Sequence, residues 1–375
     1  MFDAVIYVTS ENRHSSYLYA GLKSLLKEKY LNTLKLIPER YYHKDRVVIN
    51  DTEIKRNNRP YPYSIKVILW DIISKQKVIV GFDLQDWDYM FSHHCLQQCQ
   101  IIFKRAYRQE MIEIIKSEYN NVTIKPFGFT HNIDLDDKKI LLISKISQLL
   151  NRIPYIFTDP RRVLQFISRK LIKSHFSNNK HQSNNLNSHN QLEIPPEYPF
   201  IFYQVEYHNW PKHQEAESLN QRRANLIKLL KNEFGDRFIG GMFFKTAPKN
   251  KFNDCRTKVP YDQKIYLSFV RKAAVVISTS GFGNSLPWKL AEYLKHGKCI
   301  VSEPVQHSLH SPLKEGYHLE YFSNDQQCIA KCHELLNDNN KCLNFSHNAS
   351  IYYKMNIEPG NALKKCINKT FSFHN

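Results

Sequence analysis

Around residue 280 the chain sets a glycine turn against a helix start, a combination that can hold an anion. Val275-Val276-Ile277-Ser278 reads as a buried strand, and Gly281 and Gly283 let the next turn bring backbone N–H groups close to a ligand. A helix is expected over 285–295, with Ser285 as N-cap and Pro287 in the first turn. Its positive dipole end suits negative charge, most simply a phosphate. Asp83, Asp86 and Asp88 crowd the exit of a strand expected over 77–82. Such carboxylates can take a proton from a hydroxyl, or they can simply cap the turn that follows. Glu11 and His14 lie in a polar loop after the first expected strand, at 4–8, and are either the base or an acceptor contact or plain polar loop residues; His131 after Gly128-Phe129-Thr130 has the same alternatives. His93, His94, Cys95 and Cys99 invite a metal reading, as do Cys328, Cys332 and His333. Cys-x3-Cys puts both sulfurs on one helix face, but a structural zinc site wants four ligands in paired spacings. The expectation is buried thiols and no metal.

These residues need a scaffold, and 375 residues are enough for two domains of ordinary size. Strand-like and helical runs alternate from 4 to 128 and again from 200 to 304, which implies open α/β sheets with ligands at the carboxyl ends of their strands. Between them the chain changes character. Residues 161–176 form a basic amphipathic stretch without an acid, and 177–191 are rich in Asn, Ser and His, as a flexible insertion would be. The basic stretch suits an anionic membrane surface or a solvated inter-domain helix equally well. The domains are therefore placed at 1–155 and 196–345, with a linker at 156–195 and a last helical segment at 346–375. A net charge of +18 favours polyanionic partners, yet no nucleic-acid recognition signature is visible. A mean hydropathy of −0.52, no apolar run long enough to span a bilayer, no signal peptide and eight scattered cysteines suit a cytoplasmic protein, with peripheral membrane contact left open.

The late G-F-G-N-S turn, the K-L-A-E-Y-L helix and G-K-C-I-V-S-E-P, in the second of two α/β halves, resemble GT-B type glycosyltransferases, and most nearly those of bacterial surface polysaccharides. Arg222-Arg223 opening a helix and the run 234–241 add to the likeness, which is good over roughly 196–368 and architectural before it. The resemblance implies two Rossmann-like domains, a cleft between them, and a last helix that crosses back to the first domain. It implies transfer of a sugar from a nucleotide-diphosphate donor to a hydroxyl of a glycan or lipid-linked acceptor, without a metal or any cofactor beyond the donor.

By the same resemblance Glu292 holds the donor's ribose, and Gly281, Gly283, Asn284 and Ser285 face its sugar and diphosphate. Lys289, Lys245 and Arg222 would bind the donor at its diphosphate, Arg222 and Arg223 splitting with one toward the cleft and the other toward solvent. The base that takes the acceptor's proton would come from Asp83, Asp86, Glu11 or His14. Many retaining members carry a second glutamate with seven residues between it and the ribose-binding one. Asn284 stands at that place here, so the anomeric outcome stays open. A polyol-phosphate transferase or epimerase on the same scaffold, and a basic non-catalytic binding protein, are the rival readings.

Overall fold

The structure is a computed structural model and describes residues 1–40, 44–151, 196–210, 214–245 and 252–372. The basic stretch 161–176 and the Asn/Ser-rich stretch 177–191 lie outside the described residues. The first sheet begins with β1 (Phe2–Val8), whose every second residue is buried, and helix α1 (Asn12–Lys27) returns the chain to β2 (Leu31–Pro38). A side sheet of β3 (Arg46–Asn50), β4 (Glu53–Asn57) and β7 (Met90–Ser92) was not expected from the sequence. Between its strands run β5 (Ser64–Asp71) and β6 (Lys77–Asp83), an antiparallel hairpin in the middle of the main sheet. Then follow α2 (His93–Gln98), β8 (Ile101–Lys104), α3 (Gln109–Lys116), β9 (Thr123–Pro126) and α4 (Lys138–Leu150). The main sheet has the order β2-β1-β5-β6-β8-β9. It is parallel at both flanks and antiparallel around β5, because a short turn at 72–76 sends the chain straight back where a crossover helix would have kept it parallel.

The second sheet is parallel throughout. It comprises β10 (Ile201–Glu206), β11 (Phe238–Phe243), β12 (Val275–Ser278), β13 (Cys299–Ser302) and β14 (Glu320–Tyr321), in the order β11-β10-β12-β13-β14. Helices α5 (Gln214–Phe234), α6 (Gln263–Lys272) and α7 (Trp288–Lys295) supply its crossovers. The strands β12 and β13 are buried on both faces, as their β-branched runs require. Gly240 and Gly241 lie inside β11 at φ 140° and 127°, and a Cβ there would stand 1.9 Å from the Tyr203 carbonyl oxygen and 2.4 Å from that of Cys255. Only glycine fits at either place.

Helices α8 (Asp325–Asn337) and α9 (Asn339–Asn356) cover the second sheet, and α10 (Pro359–Ser372) leaves it to lie along α1. Gly21 permits that crossing, since a Cβ on it would meet the Pro359 carbonyl oxygen at 2.6 Å. Phe2 stacks on Phe371 at 4.8 Å, and the Tyr17 hydroxyl donates to the Ile357 carbonyl. One apolar core therefore runs from Val8, Phe82 and Phe127 through Leu290 and Tyr293 to Leu363 and Ile367. All eight cysteines are buried, those of the Cys-x3-Cys pairs among them. No helix among the described residues is long and apolar enough to cross a membrane.

Candidate functional site

In a parallel sheet of this order the strands depart in opposite directions from the gap between β10 and β12, so a crevice opens at their carboxyl ends. The start of α1 and the loop after β6 close it from the other side. Two cavities occupy the crevice, of about 540 and 470 Å³, and share Arg13, Gln204, Glu206, Lys245, Trp288 and Lys289 as a common waist. His14, Asp86 and the turn at Gly281 line only the first; Glu292, Tyr261 and Tyr266 line only the second.

On the first-domain side, Glu11 caps α1, accepting from the backbone N–H groups of Arg13 (3.2 Å) and His14 (3.0 Å). The cap fixes where His14 points. Its Nδ1 lies 3.1 Å from Glu11 Oε1 and its Nε2 3.7 Å from Asp86 Oδ2, while the ring stands edge-on to Tyr63 and Trp288. Burial by itself would lower the His14 pKa, but Asp86 and Glu11 outweigh it and raise the group above its ordinary value. Asp86 behaves oppositely. Burial pushes its carboxyl up, yet Arg105 and His14 prevail and hold it at about 2. Arg105 is fully buried, pairs with Asp86, accepts nothing, and donates to Thr130 Oγ1 (2.9 Å) and to the Leu286 carbonyl of the second domain (2.7 Å).

Asp83 and Asp88 are elsewhere. Asp83 is buried behind the cleft, 3.3 Å from Lys104 Nζ, and accepts from the Tyr61 hydroxyl and the Gln85 N–H. Asp88 is buried against Arg108 Nε at 2.9 Å. His131 is also interior, with Nε2 2.9 Å from the Tyr353 hydroxyl, and burial lowers its pKa to about 4. The polar loop after β1 is in fact the first turn of a helix, and that difference is what carries His14 into the cleft.

On the second-domain side, α7 starts at Trp288 with Pro287 as its cap, three residues later than expected. Ser285 does not cap it; its carbonyl accepts from the Gly281 N–H at 3.2 Å, which closes the turn. Gly281 and Ser285 line the first cavity. Gly283 and Asn284 line neither cavity, a departure from the expected donor-facing turn. The Gly283 N–H is taken by Glu215 Oε1 at 2.6 Å, and a Cβ on Gly283 would strike the Trp87 ring at 2.4 Å. Asn284 is exposed at φ 54°.

Lys289 and Glu292 lie one turn apart on α7, so both face the crevice. The Lys289 ammonium donates to the Gln204 carbonyl and sits 4.9 Å over the Tyr266 ring; burial brings its pKa down to about 8. Burial also raises the Glu292 carboxyl, against the pull of Lys289 and Lys295. Lys245 reaches Glu206 Oε1 at 2.8 Å. The adjacent arginines divide: Arg223 is buried in the cavity wall, donating to the carbonyls of Glu206 (3.0 Å) and Ser280 (3.1 Å), whereas Arg222 faces Glu303 and lines neither cavity. Reading the sequence overlooked Arg13, Tyr63, Arg105 and Trp288. Arg105 directly follows the end of β8 and Trp288 precedes Lys289, so position could have flagged both; Tyr63 carried no signal.

Among the described residues no group of three or more His, Cys, Asp or Glu side chains is arranged to hold a metal ion. His94 lies 3.2 Å from Lys66 Nζ and His333 pairs with Glu233 at 2.6 Å.

No protein-family model matches the chain, and no curated protein does. Solved structures are similar at low identity. The C-terminal domain of LpcC, a glycosyl transferase group 1 family protein from Francisella tularensis, matches at 11% identity over 44% of this chain and 88% of that one, with a TM-score of 0.31. TarM matches at 12% over 86% and 66%, with a TM-score of 0.33. A candidate UDP-N-acetylglucosamine 2-epimerase of Listeria monocytogenes matches at 10% over 73% of each chain, with a TM-score of 0.34. The chain's own sheet orders, the crevice between its sheets and the returning last helix give it a two-domain GT-B architecture, with a mixed first sheet.

Proposed function

We propose that this chain transfers a glycosyl group from a nucleotide-diphosphate sugar to a hydroxyl of a glycan or lipid-linked acceptor. The observation that carries the reading is the waist between the cavities, where Arg13, Lys245 and Lys289 meet beside the buried Arg223. A diphosphate is the group that such a cluster would neutralise, with a nucleoside on one side and a sugar on the other. Glu292, in the second cavity, can accept both ribose hydroxyls. Tyr261, stacked on Phe243 at 4.4 Å, offers a face to the base. The first cavity would then hold the sugar beside His14.

His14 is the base in this reading. Its Nδ1 lies 3.1 Å from Glu11 Oε1, and its Nε2, at 3.7 Å from Asp86, is beyond hydrogen-bond distance and can take a proton. The acceptor oxygen attacks the anomeric carbon as its proton passes to Nε2, the bond to the diphosphate oxygen breaks, and the nucleoside diphosphate leaves. A single displacement inverts the anomeric centre. Asp86, held at about 2, is too weak a base for the step and instead stabilises the imidazolium. Asp83, with its carboxyl tied to Lys104, has a structural part.

Thermal-shift measurements against nucleoside diphosphates and nucleotide-sugars test this. A binder raises the melting temperature by mass action, and Glu292→Ala should shrink that rise. A flat response across uridine, guanosine, adenosine, cytidine and thymidine diphosphates would overturn the reading.

A further inference from the structure

The second cavity of the crevice, about 470 Å³, has a polar end that the transfer chemistry does not use. Lys289 and Glu292 line one part of it, and Tyr261, Asp262 and Gln263, where α6 begins, line another. Asp262 is the N-cap of α6, its Oδ1 accepting from the Ile265 N–H at 3.0 Å, so the helix it starts holds the carboxylate in place. A carboxylate has about four acceptor positions, and the cap bond takes one of them. Tyr261 beside it lies on Phe243 with ring centres 4.4 Å apart and planes at 22°; the Lys245 ammonium stands 5.5 Å from its ring centre, and the residue is 68% exposed. The two parts of the cavity are one helical turn apart. Tyr266, whose ring lies 4.9 Å from the Lys289 ammonium, donates its N–H to the Asp262 carbonyl at 2.8 Å. A turn advances about 5.4 Å, a step of the order of that from a ribose to the pairing edge of its base. With Glu292 on the ribose, that edge falls at Asp262 and Gln263.

The bases differ in what they bring to such an end. A carboxylate only accepts, so its best partner offers two neighbouring N–H donors. Guanine has them, N1–H beside the N2 amino group, and the O6 next to them can accept from the Gln263 amide. Uracil and thymine carry a single N3–H between two carbonyl oxygens. Cytosine and adenine carry an amino group beside a bare ring nitrogen. Each of these four sets an acceptor against the carboxylate and leaves it poorly paired.

We propose that the Asp262 end of the second cavity reads guanine, so that the donor is a guanosine-diphosphate sugar and Asp262 is the residue that selects it. The proposal rests on reading the crevice as a glycosyl-transfer site. Asp262 accepts from N1–H and the N2 amino group, Gln263 donates to O6, and the Tyr261 ring lies alongside.

The test is titration calorimetry of the full chain with the diphosphates of guanosine, inosine, uridine, adenosine, cytidine and thymidine. Inosine differs from guanosine only in lacking the N2 amino group. Guanosine diphosphate should bind most tightly, and inosine diphosphate roughly tenfold more weakly. Asp262→Asn keeps the helix cap but replaces one carboxylate oxygen with an N–H donor group. Guanosine diphosphate should then weaken by roughly the same factor, and the guanosine-to-inosine difference should disappear. Tightest binding of a nucleotide other than guanosine diphosphate overturns the proposal and leaves the transferase reading standing. So do equal affinities for guanosine and inosine diphosphates, or a ratio that Asp262→Asn leaves unchanged. The comparison in the unaltered chain decides the matter by itself where Asp262→Asn does not fold. No binding of any of these nucleotides faults the transferase reading, and the guanine proposal falls with it.

Discussion

His14 sits between two carboxylates, and the sign of their effect can be worked out. The base must be neutral to accept a proton, so the rate should rise with pH through the His14 pKa and level off above it. Glu11 and Asp86 place that pKa above the ordinary histidine value. Glu11→Gln removes a negative neighbour, disfavours the imidazolium, and should move the acid limb of the pH–rate profile to lower pH. His14→Ala should cost about 10²–10⁴ in turnover while leaving nucleotide shifts in place. Lys289 gives a second pH test. Its ammonium is lost as pH rises past about 8, so nucleoside-diphosphate affinity, followed by calorimetry, should fall above that value and should be flatter in Lys289→Met. Asp83 belongs to stability. Asp83→Ala strands the buried Lys104 ammonium and should cost about 3–5 kcal/mol in chemical denaturation.

Among the elements, β11 and the α1–α10 crossing depend on residues that no longer side chain can replace. Gly241→Ala combines a φ of 127° with a Cβ 2.4 Å from the Cys255 carbonyl oxygen, and should lower stability by about 2 kcal/mol or more. Gly21→Ala should cost about 1–3 kcal/mol by forcing α10 off α1. Denaturant midpoints measure both. The run containing Gly240-Gly241 reads as a strand from its apolar flanks, but the reason for two glycines in it lies in Tyr203 and Cys255, far away in sequence. Helix α7 teaches a related lesson. Its sequence offers Ser285 as an evident cap, yet Pro287 starts the helix, because the preceding turn is held by its own Gly281–Ser285 bond.

At the scale of the molecule, the site exists because two domains are held in one orientation. A common core, the returning α10 and the buried Arg105 do that work together. Arg105→Ala should cut the link to Leu286 and release Asp86, whose carboxyl would rise from about 2. Hydrogen exchange should then quicken at both Leu286 and the loop after β6, on opposite sides of the crevice. The Gly283–Trp87 contact sets the same distance from the other end. Gly283→Ala should widen the cleft mouth, which small-angle scattering and acceptor KM would register.

What could be read from the sequence alone is local. Apolar periodicity fixed the alternation of strands and helices, and the spacing of Lys289 from Glu292 put both on one helix face. Those properties belong to residues a few positions apart. The tertiary structure decided everything that depends on distant partners. It chose Arg223 over Arg222 for the cleft, buried Asp83 on Lys104, turned Asn284 outward and brought His14 to Asp86 across 72 positions of chain. It also paired β5 antiparallel, since strand direction depends on which neighbour a hairpin finds. Burial and charge shift a pKa through space, so no run of residues could have told the weak base Asp86 from the stronger base His14.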